Sequence, residues 1–173
     1  MPTTLPGPIR QTGYVVRDLQ ASVEAWRSLG IGPWYTIREL TQRVRIRDIE
    51  SEPIISIAFS NSGSLQIELI QQHNDAPSAY KEFTDHGREG FHHIAFWAED
   101  YEDALASALS AGSKVMQEGN GGDTRFTYFD AGGVMSAALE VCELNAQNIT
   151  MNRMLADAAA AWDGITDPVR LLM

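Results

Sequence analysis

Two pairs of polar side chains occupy matching places in two segments of the chain, and their types suit metal or proton chemistry. Gln11 and His93 each stand near the start of a short apolar strand. Glu68 and Glu140 each stand in the middle of a later strand, between apolar neighbours. A carboxylate held there without a partner is costly, and a paired or metal-bound role relieves that cost. Taken alone, each residue also fits an ordinary role, such as a strand-end hydrogen bond or an exposed sheet edge.

A sequence repeat positions these residues. Segments 9–30 and 91–112 show the same features in the same order. At one constant offset the aligned pairs are Gln11 with His93, Asp18 with Asp100, and Gly30 with Gly112. Each copy predicts a short strand, a helix that begins at an Asp N-cap and a glycine that ends it. Self-similarity of this kind favours one pseudo-symmetric domain.

Each half of the chain predicts a βαβββ module. The boundaries that we predict are 8–71 for the first module, 72–90 for a linker, 91–144 for the second module and 145–173 for a helical tail. The paired modules therefore make up residues 1–144. Within the first module, 41–52 is polar and predicts an excursion from the sheet. The tail predicts a helix packed on the domain or on a partner subunit, with one apolar face made of Met151, Met154, Leu155, Ala158 and Trp162.

Two hairpins are predicted near the ends of the modules. In the first module a turn at 61–63 joins two strands. In the second module a closing hairpin surrounds the turn at 131–133, with the sequence AGG. Each candidate carboxylate lies on the returning strand of its hairpin, Glu68 in the first module and Glu140 in the second.

Strand alternation sorts the candidate side chains into faces. In the segment FHHIAFWA, His93 shares its face with Trp97, whereas His92 points to the other face. His92 is a competing candidate because it stands directly beside His93. The same alternation separates Glu68 and Glu140 from the apolar residues next to them.

The composition is that of an acidic globular protein. Hydrophobic residues make up 44% of the chain, the mean hydropathy is −0.20 and the formal net charge is −10. No apolar run approaches the ~20 residues of a membrane span, so we expect no membrane partner. An acidic chain repels phosphate backbones, so we also expect no nucleic-acid partner. Cys142 is the only cysteine of the sequence, which excludes an internal disulfide and fits a cytoplasmic location.

The best candidate for a basic patch is a short run of arginines. Arg43, Arg45 and Arg47 alternate along the sequence and follow Arg38. An extended segment places the three alternating residues on one face. That face is either a solvated strand surface or an anion-binding rim for an acidic substrate. The sequence leaves both interpretations open.

The chain resembles the vicinal oxygen chelate superfamily, which includes glyoxalases, methylmalonyl-CoA epimerases, extradiol dioxygenases and bleomycin-resistance proteins. The resemblance covers about residues 8–144, with both repeats. Its signature is a ligand seven residues before the Asp that opens each helix, and Gln11 and His93 both obey it. The other family ligands lie on the last strand of each module, here Glu68 in IELI and Glu140 in LEVCE.

This resemblance implies a fold and a metal. The fold is α+β, with two repeated βαβββ modules that form an open, cup-shaped mixed sheet, followed here by the C-terminal helical tail. Gln11, Glu68, His93 and Glu140 would bind one divalent metal on the floor of the cup. This ligand set suits Zn²⁺, Ni²⁺, Co²⁺ or Mn²⁺. Members of the family often dimerise, so we expect a homodimer.

The resemblance also implies an activity. We expect a divalent-metal-dependent isomerase, epimerase or lyase that acts on a small oxygen-rich substrate. The metal would stabilise an enolate as a proton leaves the carbon next to a carbonyl, with Glu140 as the base and Glu68 facing it. The ligand order resembles one branch of glyoxalase, but Val15 stands where that pattern has an Arg that holds glutathione.

The alternative is a resistance-type protein that binds a small molecule without catalysis. The aromatic residues that can line its cup are Trp34, Tyr35, Phe59, Trp97, Phe126 and Tyr128. In that case Glu140 would not be needed for ligand affinity, whereas an enzyme would lose turnover without it.

Overall fold

One continuous curled sheet forms the framework of the protein. The computed structural model describes residues 6–130 and 137–172. The strands are β1 (Gln11–Val15), β2 (Trp34–Thr41), β3 (Val44–Ile46), β4 (Ile49–Ser51), β5 (Ile54–Ser62), β6 (Leu65–Gln72), β7 (Gly90–Ala98), β8 (Lys114–Gly121), β9 (Thr124–Asp130), β10 (Ala138–Glu143) and β11 (Val169–Leu171). The helices are α1 (Leu19–Ser28), α2 (Ala79–Asp85), α3 (Tyr101–Ser110) and α4 (Ala146–Ala161).

The strand order shows the two-fold repeat directly. Across the sheet the order is β11-β2-β5-β6-β1-β7-β10-β9-β8-β3-β4. β1 and β7, the first strands of the two modules, pair antiparallel at the centre. On either side the last strand of each module lies parallel to its first, β6 beside β1 and β10 beside β7. The predicted α+β fold, two βαβββ modules in an open mixed sheet with a helical tail, is confirmed.

The two repeated helices begin and end as the repeat predicts. Asp18 caps α1 and Asp100 caps α3, and each carboxylate accepts a backbone hydrogen bond of 2.9 Å from the first turn. Gly30 and Gly112 follow the helices with φ of 83° and 90°, a conformation that glycine adopts without strain. Both helices pack on the convex side of the sheet, which leaves the concave side free for a cavity.

The hairpins form close to their predicted positions. β5 and β6 pair antiparallel, but β5 continues to Ser62, so the turn consists of Gly63 and Ser64. Gly63 has a φ of 59°, which the tight turn requires. β9 and β10 also pair antiparallel. The turn predicted at 131–133 lies outside the described residues.

The polar excursion of the first module crosses to the second module. Residues 41–52 contain β3 and β4, and β3 pairs antiparallel with β8, with Val44 opposite Gly119. The chain leaves β2 at Thr41 and enters β3 at Val44. Because β2 and β8 lie towards opposite ends of the strand order, so short a connection requires a strongly curled sheet.

The tail returns to the first module. α4 packs against β5, and β11 pairs parallel with β2. The predicted apolar face of this helix is partly wrong: the buried residues are Asn148, Asn152 and Leu155, whereas Met154 is 36% exposed. The two asparagines are buried because they hydrogen-bond to each other and to the cup. Within the described residues, no helix is long and apolar enough to cross a membrane.

Candidate metal centre

Three of the four predicted ligands converge at the centre of the concave face. Glu68 on β6, His93 on β7 and Glu140 on β10 each offer a ligand atom, and these atoms lie within 4.8 Å of one another. Nε2 of His93 is 3.3 Å from Oε2 of Glu68 and 3.2 Å from Oε2 of Glu140. Strand register explains the convergence, since Glu68 and His93 both pair with Gly13 and therefore share its face.

The donor set of this cluster fits a divalent metal. Nε2 of His93 and Oε2 of Glu140 are buried and lie 3.2 Å apart, but among the described residues neither atom has a hydrogen bond of good geometry. Each such atom costs about 1–3 kcal/mol when nothing satisfies it. An imidazole nitrogen and two carboxylates facing a common point are ligands that Zn²⁺ and similar ions accept. A bound cation would satisfy both unpartnered atoms at once.

The electrostatics of the cluster favour a cation. Burial by itself lowers the pKa of His93, but Glu140 and Glu68 outweigh it and raise the pKa to about 9. Burial raises the pKa of Glu68, against the opposing effect of His93. Two buried carboxylates thus face one imidazole, and a bound divalent ion would balance their charge.

Gln11, the fourth predicted ligand, lies on the floor of the same cavity. It lines the cavity together with Glu68 and Glu140. Its Nε2 donates a hydrogen bond of 2.7 Å to Oε1 of Gln66. With the nitrogen used as a donor, the side-chain oxygen is the atom that remains for a metal. Gln11, Glu68 and Glu140 therefore line one cavity, with His93 buried against the two carboxylates and Gln11 bonded to Gln66.

Gly13 makes room for the histidine. A Cβ atom at this position would lie 1.8 Å from Cε1 of His93, far inside contact distance. In the second module the equivalent position is Ala95, which pairs with Gln11. The flexible amide of Gln11 leaves space for a methyl group, whereas the rigid imidazole of His93 does not.

A β-bulge changes the position expected for His92. Gly13 pairs with His93 and Tyr14 pairs with Phe91, so His92 is an extra residue in β7. The expectation that His92 points away from His93 is wrong, because the bulge interrupts the alternation. The Nδ1 atoms of the two rings are 3.0 Å apart.

This contact fixes the orientation of the His93 ring. Burial lowers the pKa of His92 well below 6.5, so its ring is neutral. Its other nitrogen bonds to the backbone of Ala79, whose N–H is already donated to Gln117, so the carbonyl accepts. Nδ1 of His92 is then the acceptor for the Nδ1–H of His93. That arrangement directs Nε2 of His93 towards the carboxylates, just as metal-binding histidines are commonly oriented by a hydrogen bond at the ring nitrogen that does not bind the metal.

Replacing His92 by Phe is expected to weaken metal binding about 10- to 100-fold, because His93 loses the acceptor that fixes its ring. The phenyl ring suits the aromatic surroundings of His92, which include Phe83 and Tyr80. Titration of the metal-free protein with Zn²⁺ or Co²⁺ measures the effect. His86→Phe, on the exposed end of α2, is the control and should bind like the wild type. Wild-type affinity in His92→Phe would show that His92 does not position His93.

The cluster lies at the base of a cavity of about 700 Å³, a volume typical of small-molecule sites. The phenols of Tyr80 and Tyr128 also line it, with their hydroxyl oxygens 3.4 Å apart. Of the aromatic residues predicted to line a cup, those found there are Phe59, Trp97, Phe126 and Tyr128. Trp34 instead packs with α1, and Tyr35 contacts Arg170.

Sequence reasoning missed several polar residues of the cavity, among them Gln66, Tyr80, Asn148 and Asn152. One signal was available, since Asn148 and Asn152 are one helical turn apart and interrupt the apolar face of the tail. Their partners are distant in the sequence, so the pattern alone did not indicate a site.

The arginine run is solvent-facing and paired. Arg43 is 3.2 Å from Glu52, Arg45 forms an ion pair with Glu118 and Arg47 is 2.9 Å from Glu82. Side chains of all three arginines are at least half exposed. These pairs favour the solvated strand surface over an anion-binding rim.

A family model matches most of the chain. Its description is Glyoxalase/Bleomycin resistance protein/Dioxygenase superfamily, and it matches residues 10–129, which include both repeats. Glu68 and His93 lie within this match, while Glu140 lies beyond its end. A search among curated proteins found no significant relative.

Solved structures share the fold. A hypothetical protein of Bacillus halodurans aligns with a TM-score of 0.61 at 18% identity, over 81% of this chain and 96% of that one. A Streptomyces coelicolor methylmalonyl-CoA epimerase variant in complex with 2-nitronate-propionyl-CoA gives 0.57 at 24% identity, over 80% and 94%. The Mycobacterium tuberculosis methylmalonyl-CoA epimerase gives 0.58 at 16% identity, over 87% and 96%.

Proposed function

Because the chain belongs to the glyoxalase/bleomycin resistance protein/dioxygenase superfamily, we propose that it is a divalent-metal-dependent isomerase, epimerase or lyase. It would transfer a proton at a carbon next to a carbonyl of a small substrate. The observation that carries the proposal is the convergence of Glu68, His93 and Glu140, with buried atoms left unpartnered, at the base of a cavity. The epimerases that share the fold support proton transfer as the reaction class.

The proposed metal ligands are Glu68, His93, Glu140 and the side-chain oxygen of Gln11. A bound divalent ion would supply Lewis-acid stabilisation of negative charge that develops on a substrate carbonyl oxygen. His92 contacts the His93 ring, and the absence of a side chain at Gly13 leaves room for that ring.

Glu140 is the proposed base. Its Oε2 faces Nε2 of His93 at 3.2 Å, and the side chain lines the cavity. In the proposed reaction the carboxylate of Glu140 would give up its place as a metal ligand and accept the proton from the substrate carbon. Glu68 is its counterpart across the pseudo-two-fold axis and approaches from the other side, so it can return a proton to the opposite face of the carbon.

Two phenols support a substrate oxygen in this proposal. Burial raises the pKa of both Tyr80 and Tyr128, so both keep their protons at neutral pH. Each hydroxyl group can therefore donate a hydrogen bond to an oxygen in the cavity. Both tyrosines are almost fully buried, so they face the cavity with little exposure to solvent.

Protein purified without chelator is expected to contain about one divalent ion per chain, as such sites do. Removal of the ion should lower the melting temperature, since saturating ligand stabilises a fold by about 3 kcal/mol at several hundred times its Kd. Elemental analysis and thermal denaturation with and without EDTA measure both effects.

The matched variants for this measurement are His93→Ala and His86→Ala. His93→Ala should lose the ion, because it removes the nitrogen ligand. His86→Ala, on the exposed end of α2, should keep it. Metal-free protein with a melting temperature that EDTA leaves unchanged would contradict the proposal.

A non-catalytic binding protein is the second candidate. The upper walls of the cavity are mainly apolar, with Ile37, Leu40, Ile57 and Met151 among the lining residues. Such walls suit ligand retention as well as catalysis. The substitution of Glu140 considered in the Discussion separates the two functions.

The assembly and location of the protein remain part of the proposal. We propose a homodimer, as is common in the superfamily, and a cytoplasmic location. All four proposed ligands belong to one chain, so the site does not require a partner to supply one. Light scattering after size-exclusion chromatography measures the oligomeric state.

A further inference from the structure

The charge of the cavity is unusual for a site that would receive an anionic substrate. Its lining, as far as the structure describes it, contains no lysine or arginine. The charged side chains that do line it are Glu68 and Glu140, at the base. Arg10 lies over the ring of Trp97 at 6.0 Å but is not part of the lining. A ligand anion placed beneath α4 would be desolvated without a counter-charge, which is costly.

Neutral amides form the polar part of the wall. Gln11 donates to Gln66, and Nε2 of Gln66 donates to Oδ1 of Asn152 at 2.9 Å. Asn152 in turn bonds to Asn148, whose Nδ2 is 3.7 Å from Sγ of Cys142. This row runs from β1 at the base to α4 and carries no formal charge. It can exchange hydrogen bonds with neutral groups of a ligand.

Soft apolar side chains complete the wall below and beside α4. Met151 and Met154 project from α4 into the lining, and Phe126, Ile57 and Leu40 come from the sheet. Methionine adapts to irregular ligands, and phenylalanine packs well on flat ones. The space of about 700 Å³ is enough for an aromatic or branched aliphatic body.

We propose that the substrate is an uncharged molecule with an apolar or aromatic body that α4 covers. The proposal rests on the proposed function for one point only, the binding of the oxygen-bearing end at Glu68, His93 and Glu140. The tail helix is then a specificity-determining element that excludes acyl-CoA thioesters and other anions. This predicts a preference different from that of the methylmalonyl-CoA epimerases with the same fold.

Two probes of nearly equal shape test the preference. The neutral probe is 2-hydroxyacetophenone, and the anionic probe is 4-(hydroxyacetyl)benzoate, which adds a carboxylate at the far end of the ring. Isothermal titration calorimetry on the protein as purified should give at least about tenfold tighter binding of the neutral probe, because the carboxylate is desolvated against methionine and phenylalanine. Propionyl-CoA should bind more weakly still.

A charge placed on α4 should reduce this preference. Met154→Lys puts an ammonium group at the cavity, where its long side chain can keep the charge near water. The attraction to the carboxylate should reduce the affinity ratio of neutral to anionic probe to below about threefold. Ile149→Lys is the matched control, since Ile149 is exposed on the same helix and does not line the cavity. Gln147→Lys, also in the lining, repeats the test if Met154→Lys does not fold.

Several results would overturn the proposal. They are equal or tighter binding of the anionic probe by the wild type, no binding of the neutral probe at millimolar concentration, and an equal response of the two lysine variants at 154 and 149. The same titrations on Glu140→Gln report binding without the proposed base. If the protein still prefers the neutral probe about tenfold but holds no metal and exchanges no proton, the proposed function alone is rejected. If the protein binds metal and exchanges the substrate proton but does not prefer the neutral probe, this inference alone is rejected.

Discussion

Glu140→Gln is expected to slow proton exchange at the substrate carbon by two to four orders of magnitude, about the contribution of a positioned general base. The substitution keeps the size of the side chain and removes the oxygen that accepts the proton. Loss of deuterium uptake by 2-hydroxyacetophenone in D₂O, followed by NMR, measures the effect. Affinity for the probe should change less than the exchange rate, since three of the four proposed metal ligands and the wall of the cavity are intact.

The control for this substitution is Glu143→Gln on the same strand. Glu143 is 2.9 Å from Arg125 in a partly exposed ion pair and does not line the cavity. Exposed pairs contribute about 0–1 kcal/mol, so this variant should fold and exchange protons like the wild type. If Glu140→Gln binds the probe and exchanges protons at the wild-type rate, Glu140 is not the base. If neither protein exchanges protons, the binding protein becomes the better account.

Gly13→Ala is expected to have the second large effect, on both stability and metal binding. The new methyl group would overlap the imidazole of His93, which is fully buried and cannot move away freely. Overpacking of this kind costs about 1–3 kcal/mol of unfolding free energy. A ring displaced by such a contact also loses its alignment with the carboxylates, so metal affinity should fall at least about tenfold, as it does when ligand orientation is disturbed.

Gly121→Ala provides the matched comparison for Gly13→Ala. It makes the same chemical change in another strand, β8, where a Cβ atom would meet nothing within 4 Å. Its stability and metal affinity should stay close to those of the wild type. Chemical denaturation and metal titration of the two variants side by side measure the difference. Normal metal affinity in Gly13→Ala would show that the position of His93 does not depend on the missing side chain.

The sequence was sufficient to predict the features that depend on local patterns. Asp18 and Asp100 cap helices because a side-chain carboxylate after an apolar strand satisfies free N–H groups wherever it occurs. Alternation in regular strands separated Glu68 and Glu140 from the apolar residues beside them, and the family resemblance implied that they face the cup. Spacing and the family resemblance were therefore enough to predict these two residues and His93 as metal ligands.

Other features depend on contacts between distant segments, which leave no local pattern. The bulge at His92 adds one residue to β7 and reverses the face that alternation predicts. The pairing of β3 with β8 joins a polar segment to a strand of the other module. Asn148 and Asn152 are buried because they hydrogen-bond to each other and Asn152 also bonds to Gln66. Their polarity alone would indicate exposed positions.

The exchange of edge strands between the modules makes each half depend on the other. The β3–β4 hairpin of the first module is hydrogen-bonded to β8, and the chain that follows the second module returns to pair β11 with β2. Unfolding of either half would strip backbone partners from the other half and expose its apolar core. The two modules therefore behave as one cooperative unit, whose free energy of unfolding is not the sum of two separable parts. The two modules repeat the same fold, but each is stable only when it is packed against the other.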